Sequence, residues 1–317
     1  MSQEFHPLPH WLLKHPRRLH WIYRVQQWVL LRNHVIVPVF KSWFKKQTLQ
    51  NESVSMVDLG CGEGLYCNLA LEYFKNSKSK SVGENLHSLN VKHDRINGSS
   101  ILGIDTNQLW IDFLNKQRRA LLDDGTVLNY NSLDLIKNPK YLLEKLPSVN
   151  SLVSISVLQY MPNPISELRI WLESLPEKAE VFIYFPIDHH KYTPWYTYLF
   201  GKFNNYEQTF NRSKPIGKSV FTQFIEEVRG QGTVEVVHCT YHYHAFAAIG
   251  HEQFSFALML WQNSRHWSLL PIRLLSGIML FPAWLLSLLG FHLDRLIPVG
   301  SPNSVLCILK KNAYIKE

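Results

Sequence analysis

The chain has 317 residues, 46% hydrophobic and 18% charged, which excludes wholesale disorder and allows one large domain with additions or two small ones. Its formal charge of +8 is gathered at one end: residues 1–50 hold Lys14, Arg17, Arg18, Arg24, Arg32, Lys41, Lys45 and Lys46 against Glu4 alone. A basic end of this kind favours an acidic partner surface, either anionic lipid or nucleic acid.

Residues 10–46 alternate Trp, Leu, Ile and Val with Arg, Lys and His, and Pro16 and Pro38 interrupt them, so two short amphipathic helices are expected. From Val54 the pattern becomes strand then helix: a buried strand at Val54–Leu59, a glycine-rich loop, and a helix at Leu65–Phe74. Residues 75–99, rich in Ser, Lys, Asn and His without periodicity, read as an inserted surface loop. A strand at Ile101–Ile104, a helix over Gln108–Leu122 and a strand at Thr126–Tyr130 follow. Next come a strand at Leu152–Val157, a helix over Ile165–Leu175 and a strand at Glu180–Phe185. Beyond an aromatic loop, Ser219–Arg229 reads as helix, Thr233–Tyr243 as extended chain, and Ser304–Lys310 as a last strand. Alternating strands and helices argue for a parallel sheet covered on both faces.

Cys61, Cys67, Cys239 and Cys307 form no CxxC pair, which argues against a disulfide framework or a metal site and fits reduced thiols. The start Met-Ser-Gln-Glu-Phe-His-Pro lacks an apolar run with a small-residue cleavage site, so a cytoplasmic protein is expected.

Asp58-Leu59-Gly60-Cys61-Gly62-Glu63-Gly64 leaves a buried strand and enters a helix. Such a loop offers free backbone N–H groups to an electron-rich ligand, and its glycines let the backbone turn and approach closely. The spacing is G-x-G-x-G, not the G-x-G-x-x-G that seats a pyrophosphate in dinucleotide enzymes. Ile101-Leu102-Gly103-Ile104-Asp105, Ser132-Leu133-Asp134 and Val157-Leu158-Gln159-Tyr160-Met161-Pro162-Asn163-Pro164 follow in order.

In these four segments, which span most of residues 54–185, the chain resembles the class I S-adenosylmethionine-dependent methyltransferase superfamily. The resemblance implies a doubly wound, mainly parallel seven-stranded α/β sheet. To this sheet are added a basic helical extension over 1–50 and insertions at about 75–99, 187–216 and 247–300 within the 51–317 domain. It implies S-adenosyl-L-methionine as cofactor, held by Asp58, Gly60, Cys61, Gly62, Gly64, Asp105, Thr106, Leu133, Asp134 and Ser156. Asp105 would accept from the ribose hydroxyls, with Glu84 as the rival acid. Asp134 would meet the adenine amine, with Asn131 and Ser132 as alternatives. An isolated Asp is ordinarily a turn or cap residue, so it is the order of the segments that carries the assignment.

Methyl transfer from a sulfonium is an in-line displacement, helped chiefly by alignment; a hydroxyl or carbon acid also needs a base. Tyr160 stands where the superfamily often carries His, and Asp188, His189 and His190 follow the fifth strand. His242 and His244 alternate and are expected to share a strand face. Tyr160, His189, His190 and His244 are therefore the candidate catalytic groups, with no metal.

Leu274–Leu293 is a run of 20 residues without Lys, Arg, Asp or Glu. As a helix it would just cross a hydrocarbon core of about 30 Å. Yet Val305–Leu309 is expected to pair in the same sheet as Thr233–Tyr243, and a single crossing would strand it on the far side. Pro271 and Pro282 are expected to divide the run into two short helices, a hairpin dipping into one leaflet. Trp261, Trp267 and Trp284, with Trp11, Trp21 and Trp28, suit a lipid interface. The expected activity is methyl transfer to a hydrophobic, lipid-like acceptor by a peripheral, monotopic enzyme at an anionic membrane surface. The alternatives are a soluble methyltransferase of aromatic or secondary metabolites with the apolar insert as a lid, a nucleic-acid methyltransferase, and a non-catalytic binding protein. Interleaving of the basic residues with Trp, Leu and Val, and the lack of an N-P-P-Y-type motif, argue against nucleic acid as partner.

Overall fold

The structure, a computed structural model, describes residues 31–81, 98–118, 127–187, 216–264, 266–300 and 302–313. In chain order the elements are α1 (Leu31–Gln50), β1 (Ser55–Leu59), α2 (Leu65–Ser81), β2 (Ser100–Asp105), α3 (Gln108–Arg118) and β3 (Val127–Ser132). There follow α4 (Pro139–Lys145), β4 (Ser151–Ile155), α5 (Pro164–Ser174), β5 (Glu180–Pro186), α6 (Lys218–Gly230) and β6 (Val234–His242). Last come α7 (Ala245–Asn263), α8 (Leu270–Leu296) and β7 (Ser304–Lys311). The strands form one seven-stranded sheet in the order β3-β2-β1-β4-β5-β7-β6. β1 to β5 run parallel, and β7 is antiparallel to both β5 and β6.

Strand alternation divides the core in two. Met56, Ile101, Phe182, Tyr184, Leu306 and Ile308 face one layer, where α1, α2 and α3 lie. Val57, Ile104, Val181, Ile183, Cys307 and Leu309 face the other, under α4, α5 and α6. Near-continuous apolar strands are what a sheet buried on both faces requires.

The N-terminal helix departs from expectation. α1 runs unbroken through Pro38, where a break between two short helices was expected. Ile36, Phe40, Trp43 and Phe44 recur at helical spacing and are almost wholly buried against Phe74, Tyr66 and Phe182. The indole N–H of Trp43 donates to Glu180 Oε2 at 2.7 Å, and Lys46 Nζ lies 3.6 Å from Glu180 Oε1. A buried carboxylate so paired fixes where the helix seats, and the loss of one helix hydrogen bond at Pro38 is outweighed by this packing. The expected break at Pro16 lies outside the described residues.

Residues 75–81, expected as loop, continue α2 as helix, and 82–97 lie outside the described residues. The short α4 was not anticipated; Pro139 at its first turn is a suitable start.

The apolar run also differs. Pro271 opens α8 and Pro282 is accommodated inside it, so the run is one 27-residue helix of about 40 Å and not two short ones. Its partner is α7, 19 residues long and antiparallel to it. The two helices approach closely at small residues: a Cβ on Gly250 would lie 2.4 Å from the Ser287 backbone nitrogen, and one on Gly290 2.4 Å from the Phe246 carbonyl oxygen. At the base, both Asp294 oxygens accept from α7's first turn, at 3.1 Å from Phe246 N and 2.9 Å from Ala247 N. The hairpin thus leaves from β6 and returns to β7, its neighbour in the sheet.

Candidate active site

The glycine loop sits where β1 meets α2, and Gly60, Gly62 and Gly64 all have positive φ (64°, 50° and 72°). Their surroundings differ. A Cβ on Gly60 would fall 2.3 Å from Val157 Cγ2, and one on Gly64 would fall 2.8 Å from Tyr130 Oη. At Gly62 the nearest atom would be the Gly60 carbonyl oxygen at 4.0 Å, so this peptide leaves an open face beside the loop.

Asp105, at the end of β2, reaches the same loop: its Oδ2 accepts from Gly62 N at 2.9 Å and its Oδ1 from Asn107 N at 2.8 Å. Cys61 N donates to the Ile104 carbonyl at 2.9 Å, which ties the loop to the strand that carries Asp105. The structure therefore brings Asp105 to the glycine loop; Glu84 lies outside the described residues. Thr106 follows, exposed.

Beyond Asp105 lies a cleft of about 290 Å³, its lining including Gln108, Ile111, Tyr130, Asn131, Ser132 and Leu133. Leu133 is part of it and Asp134 is not. The Asp134 carboxylate accepts from Ile136 N at 3.1 Å and Lys137 N at 3.3 Å, and its Oδ2 lies 3.0 Å from Lys137 Nζ. Slight burial would raise its pKa, but these bonds and the Lys137 charge win and lower it. Asp134 here does the work of a turn residue, while Asn131, donating to Tyr141 Oη at 2.6 Å, lines the cleft. Gly103 was passed over in the sequence: a Cβ there would collide with the Tyr130 ring at 2.5 Å, so it makes room for the wall of the cleft.

Asp58 is 1% exposed, and its Oδ2 accepts from Cys67 Sγ at 3.5 Å. Burial, with Asp105 and Glu63 nearby, pushes its carboxyl up to about 8, against the pull of the Cys67 bond. Burial pushes the Cys61 and Cys67 thiols up too, so both stay protonated.

Ser156, just past β4, has φ 59° and donates its N–H to the Tyr184 carbonyl at 2.7 Å. Its neighbour Val157 is the residue against Gly60, so the end of β4 borders the loop. Tyr160 closes the short turn Leu158–Tyr160 and is half-buried. His189 and His190 lie outside the described residues. The shared face expected for His242 and His244 is not formed: β6 ends at His242, and Tyr243 turns the chain with φ 59°. His244 then sits at the start of α7, its Nδ1 3.0 Å from the Gly300 carbonyl, at the foot of the hairpin. His242 Nε2 lies 2.8 Å from Thr240 Oγ1. Burial, then the charges of His238, His244 and Arg295, bring it down to about 4, so it is neutral at pH 7.

Sequence reading missed Tyr66, Tyr184 and Tyr243. Tyr66 and Tyr184 are buried in the α1-side core and Tyr243 packs against that core. A polar residue at an inward position of the apolar strand Val181–Phe185 was the available signal for Tyr184.

No known family's sequence profile matches the chain, and no curated protein matches it in sequence. Solved structures match it in fold. Phosphoethanolamine N-methyltransferase 2 of Haemonchus contortus, in complex with S-adenosyl-L-methionine, superposes with a TM-score of 0.50 at 11% identity. That alignment covers 90% of this chain and 56% of the other. The cyclopropane synthase MmaA2 of Mycobacterium tuberculosis gives 0.48 at 11% identity, covering 82% and 79%. A putative sarcosine dimethylglycine methyltransferase of Galdieria sulphuraria gives 0.46 at 11%, covering 86% and 85%. Sheet order, the antiparallel seventh strand and the glycine loop after β1 define the class: this chain has the class I S-adenosylmethionine-dependent methyltransferase fold.

Proposed function

We propose that the protein transfers a methyl group from S-adenosyl-L-methionine to a hydrophobic, lipid-like acceptor at a membrane surface. The residues present fit the cofactor. The open face at Gly62 admits a ligand against the backbone, and the Asp105 carboxylate keeps lone pairs for the ribose hydroxyls while holding the loop. The cleft beside Leu133 and Ile111 suits an adenine ring, with Asn131 or Ser132 for its polar edge. Cys61, Ser156 and Thr106 border this path. The buried Asp58 carboxyl lies beneath the loop, where a cationic ligand would draw its pKa down.

When bound, the cofactor supplies a methyl already activated on sulfur. The chain's own task is to align an acceptor and exclude water, and alignment can contribute about 7–11 kcal/mol. Tyr160, at the end of the β4 turn, remains the candidate for a proton at the acceptor atom.

The observation that carries the lipid reading is the outward face of the hairpin. Ile278 is 70% exposed, Phe281 67% and Leu275 63%, and Leu286 and Leu289 lie with them. Trp267, at the tip, is 84% exposed. A lid over a small-molecule pocket would turn these side chains inward, whereas a contiguous exposed apolar face of this kind marks a surface made for an apolar partner. One helix of the described residues, Trp267–Leu296, is long and apolar enough to cross a membrane. The return of α8 to β7 instead makes the pair a hairpin entering and leaving on one side.

The test is flotation with vesicles of neutral and anionic phospholipid, joined to transfer of labelled methyl from S-adenosylmethionine into a lipid extract. Co-flotation and a labelled apolar product are expected. A wholly soluble protein that labels only water-soluble acceptors would replace this reading with that of a soluble small-molecule enzyme.

A further inference from the structure

β6 and β7 are the roots of the hairpin, β6 leading into α7 and β7 following α8. β6 ends the sheet order and, among the described strands, is held by β7 alone. The ladder slips between Val236 and His238, so the stretch that enters the hairpin is set off from the first part of the strand by an irregularity. Directly after the slip, Cys239 lies opposite Cys307 in the antiparallel register.

The sheet makes these two thiols a pair. Residues directly opposite on antiparallel strands have Cα atoms about 4.5 or 5.5 Å apart, and both spacings fall within the roughly 4.4–6.8 Å that a disulfide spans. Both side chains lie on one face: Cys307 is wholly buried in the layer under α4, α5 and α6, and Cys239 packs against that same layer. Both are free thiols, and Cys239 is only half-buried, so a small reagent meets Cys239 first and Cys307 stands beside it. The two also differ in reactivity. A hydrogen bond donated by the Cys307 thiol, against burial and with help from Tyr241 and the Arg229 charge, holds the Cys239 thiol below its ordinary range. That same bond, then burial, pushes the Cys307 thiol up. Cys239 is therefore the member poised to react as thiolate. Cys61 and Cys67, by contrast, are both buried and both pushed up.

We propose that Cys239 and Cys307 are a redox site, a dithiol that a low-molecular-weight disulfide such as oxidised glutathione converts to a cross-strand disulfide, stapling the roots of the hairpin. The Cys239 thiolate attacks one sulfur of the glutathione disulfide, which forms a mixed disulfide and releases one glutathione thiolate. Cys307 gives up its proton and attacks the Cys239 sulfur, and the second glutathione leaves. Two protein thiols are oxidised, one glutathione disulfide is reduced to two thiols, and the two protons from the protein end on them. The ring closed by the new bond contains the whole of α7 and α8. Closing so long a ring restricts the unfolded chain, and in the folded protein it pins an edge strand beside its irregularity with a covalent bond. The staple acts on how the hairpin is attached to the sheet and is independent of what the hairpin's outer face touches.

The full-length protein is reduced, freed of reductant, incubated at neutral pH with oxidised glutathione, alkylated while folded and mapped by mass spectrometry. A Cys239–Cys307 link is expected, and dithiothreitol should reverse it. Cys307→Ala should stop at one glutathione held on Cys239, and Cys239→Ser should form neither the link nor an adduct at Cys307. In the linked protein, amide hydrogen exchange across residues 238–242 and 304–307 should slow by about tenfold, and the denaturation midpoint should rise. The unaltered protein decides the matter, so a variant that folds poorly does not. Failure to form the link in protein whose circular dichroism stays native overturns the proposal, as does a link that appears only on partial denaturation. Faster reaction at Cys61 or Cys67 than at Cys239 overturns it too. A link that forms but leaves exchange at the hairpin's roots unchanged would overturn its role as a staple.

Discussion

The sheet around β1 and the α7/α8 hairpin use opposite solutions to the same requirement, that apolar surface be covered. Around β1 everything inward is met by protein: Met56 and Val57 face the two core layers, and even the carboxyls of Asp58 and Glu180 are enclosed and bonded. In the hairpin many inward positions are small or polar, as at Ser276, Ala283, Ser287 and Gly290, and apart from Phe291 and Leu288 near its foot many large apolar side chains of α8, such as Ile278, Phe281 and Leu275, point away. That inversion is unfavourable in water, where burying such a side chain is worth about 1.5–3 kcal/mol. It is favourable only where the surroundings are themselves apolar. On the proposed membrane-surface reading, the two regions would have different solvents.

The largest expected effect breaks the hairpin's half of that contrast. Replacing Ile278, Phe281 and Leu285 together by Ser removes three exposed apolar side chains, each worth about 1.5–3 kcal/mol on insertion. Vesicle partition should fall by about a thousandfold or more, while thermal stability in water stays within about 1 kcal/mol, as for exposed sites. A comparable loss of stability would show that these residues are covered by protein.

Glu180→Ala does the reverse. It strands the Trp43 indole N–H in the core, while the half-exposed Lys46 returns to water, so stability should fall by about 1–3 kcal/mol, read by chemical denaturation. Flotation should be unchanged, since neither Glu180 nor its partners Trp43 and Lys46 belong to the hairpin's exposed face.

Asp105→Ala leaves the Gly62 and Asn107 N–H groups without their acceptor. Cofactor affinity should drop by about 1–3 kcal/mol in calorimetry, with little change in vesicle binding. Gly60→Ala should be worse than Gly62→Ala, because only the former adds a collision, with Val157, to the strain of positive φ. Equal losses would mean that space around the loop is not what distinguishes the two glycines.

Much of this contrast could be read in the sequence, because both regions announce themselves by local pattern. Apolar strands, glycines after β1 and the order of the segments placed the sheet and Asp105. What could not be read depended on distant partners. Pro38 and Pro282 were taken as breaks because a proline weakens an isolated helix; packing against Phe182 and against α7 carries the helices through them. Asp134 matched by position, and its pairing with Lys137 and its place outside the cleft depend on neighbours that the matching of segments does not show. His244 appeared paired with His242 until the left-handed Tyr243 broke the strand's alternation. Tyr184 and Tyr243 drew no notice, since nothing local shows that residues almost 60 apart bring their hydroxyls together.

The last effect concerns pH and tests how enclosed the core region is. Asp58 has its carboxyl raised from 3.8 to about 8 by burial, so the folded apoprotein holds a proton there that the unfolded chain has released. Between those two values the native state binds more protons, and stability therefore falls as pH rises from about 4 toward 8. Below 4 both states are protonated, and above 8 both are ionised, so the slope should vanish at each end. Asp58→Asn removes the titration and should flatten the profile across that window, measured as the denaturation midpoint at fixed ionic strength. S-adenosylmethionine, bringing positive charge to the loop, should draw the carboxyl back down and flatten the unaltered protein's profile as well. The hairpin variant at Ile278, Phe281 and Leu285 should keep the slope, because no part of that face approaches Asp58. A profile that rises through the same window would mean that Asp58 is ionised and paired in the folded protein, and that the region beneath the glycine loop is wetter than its burial implies.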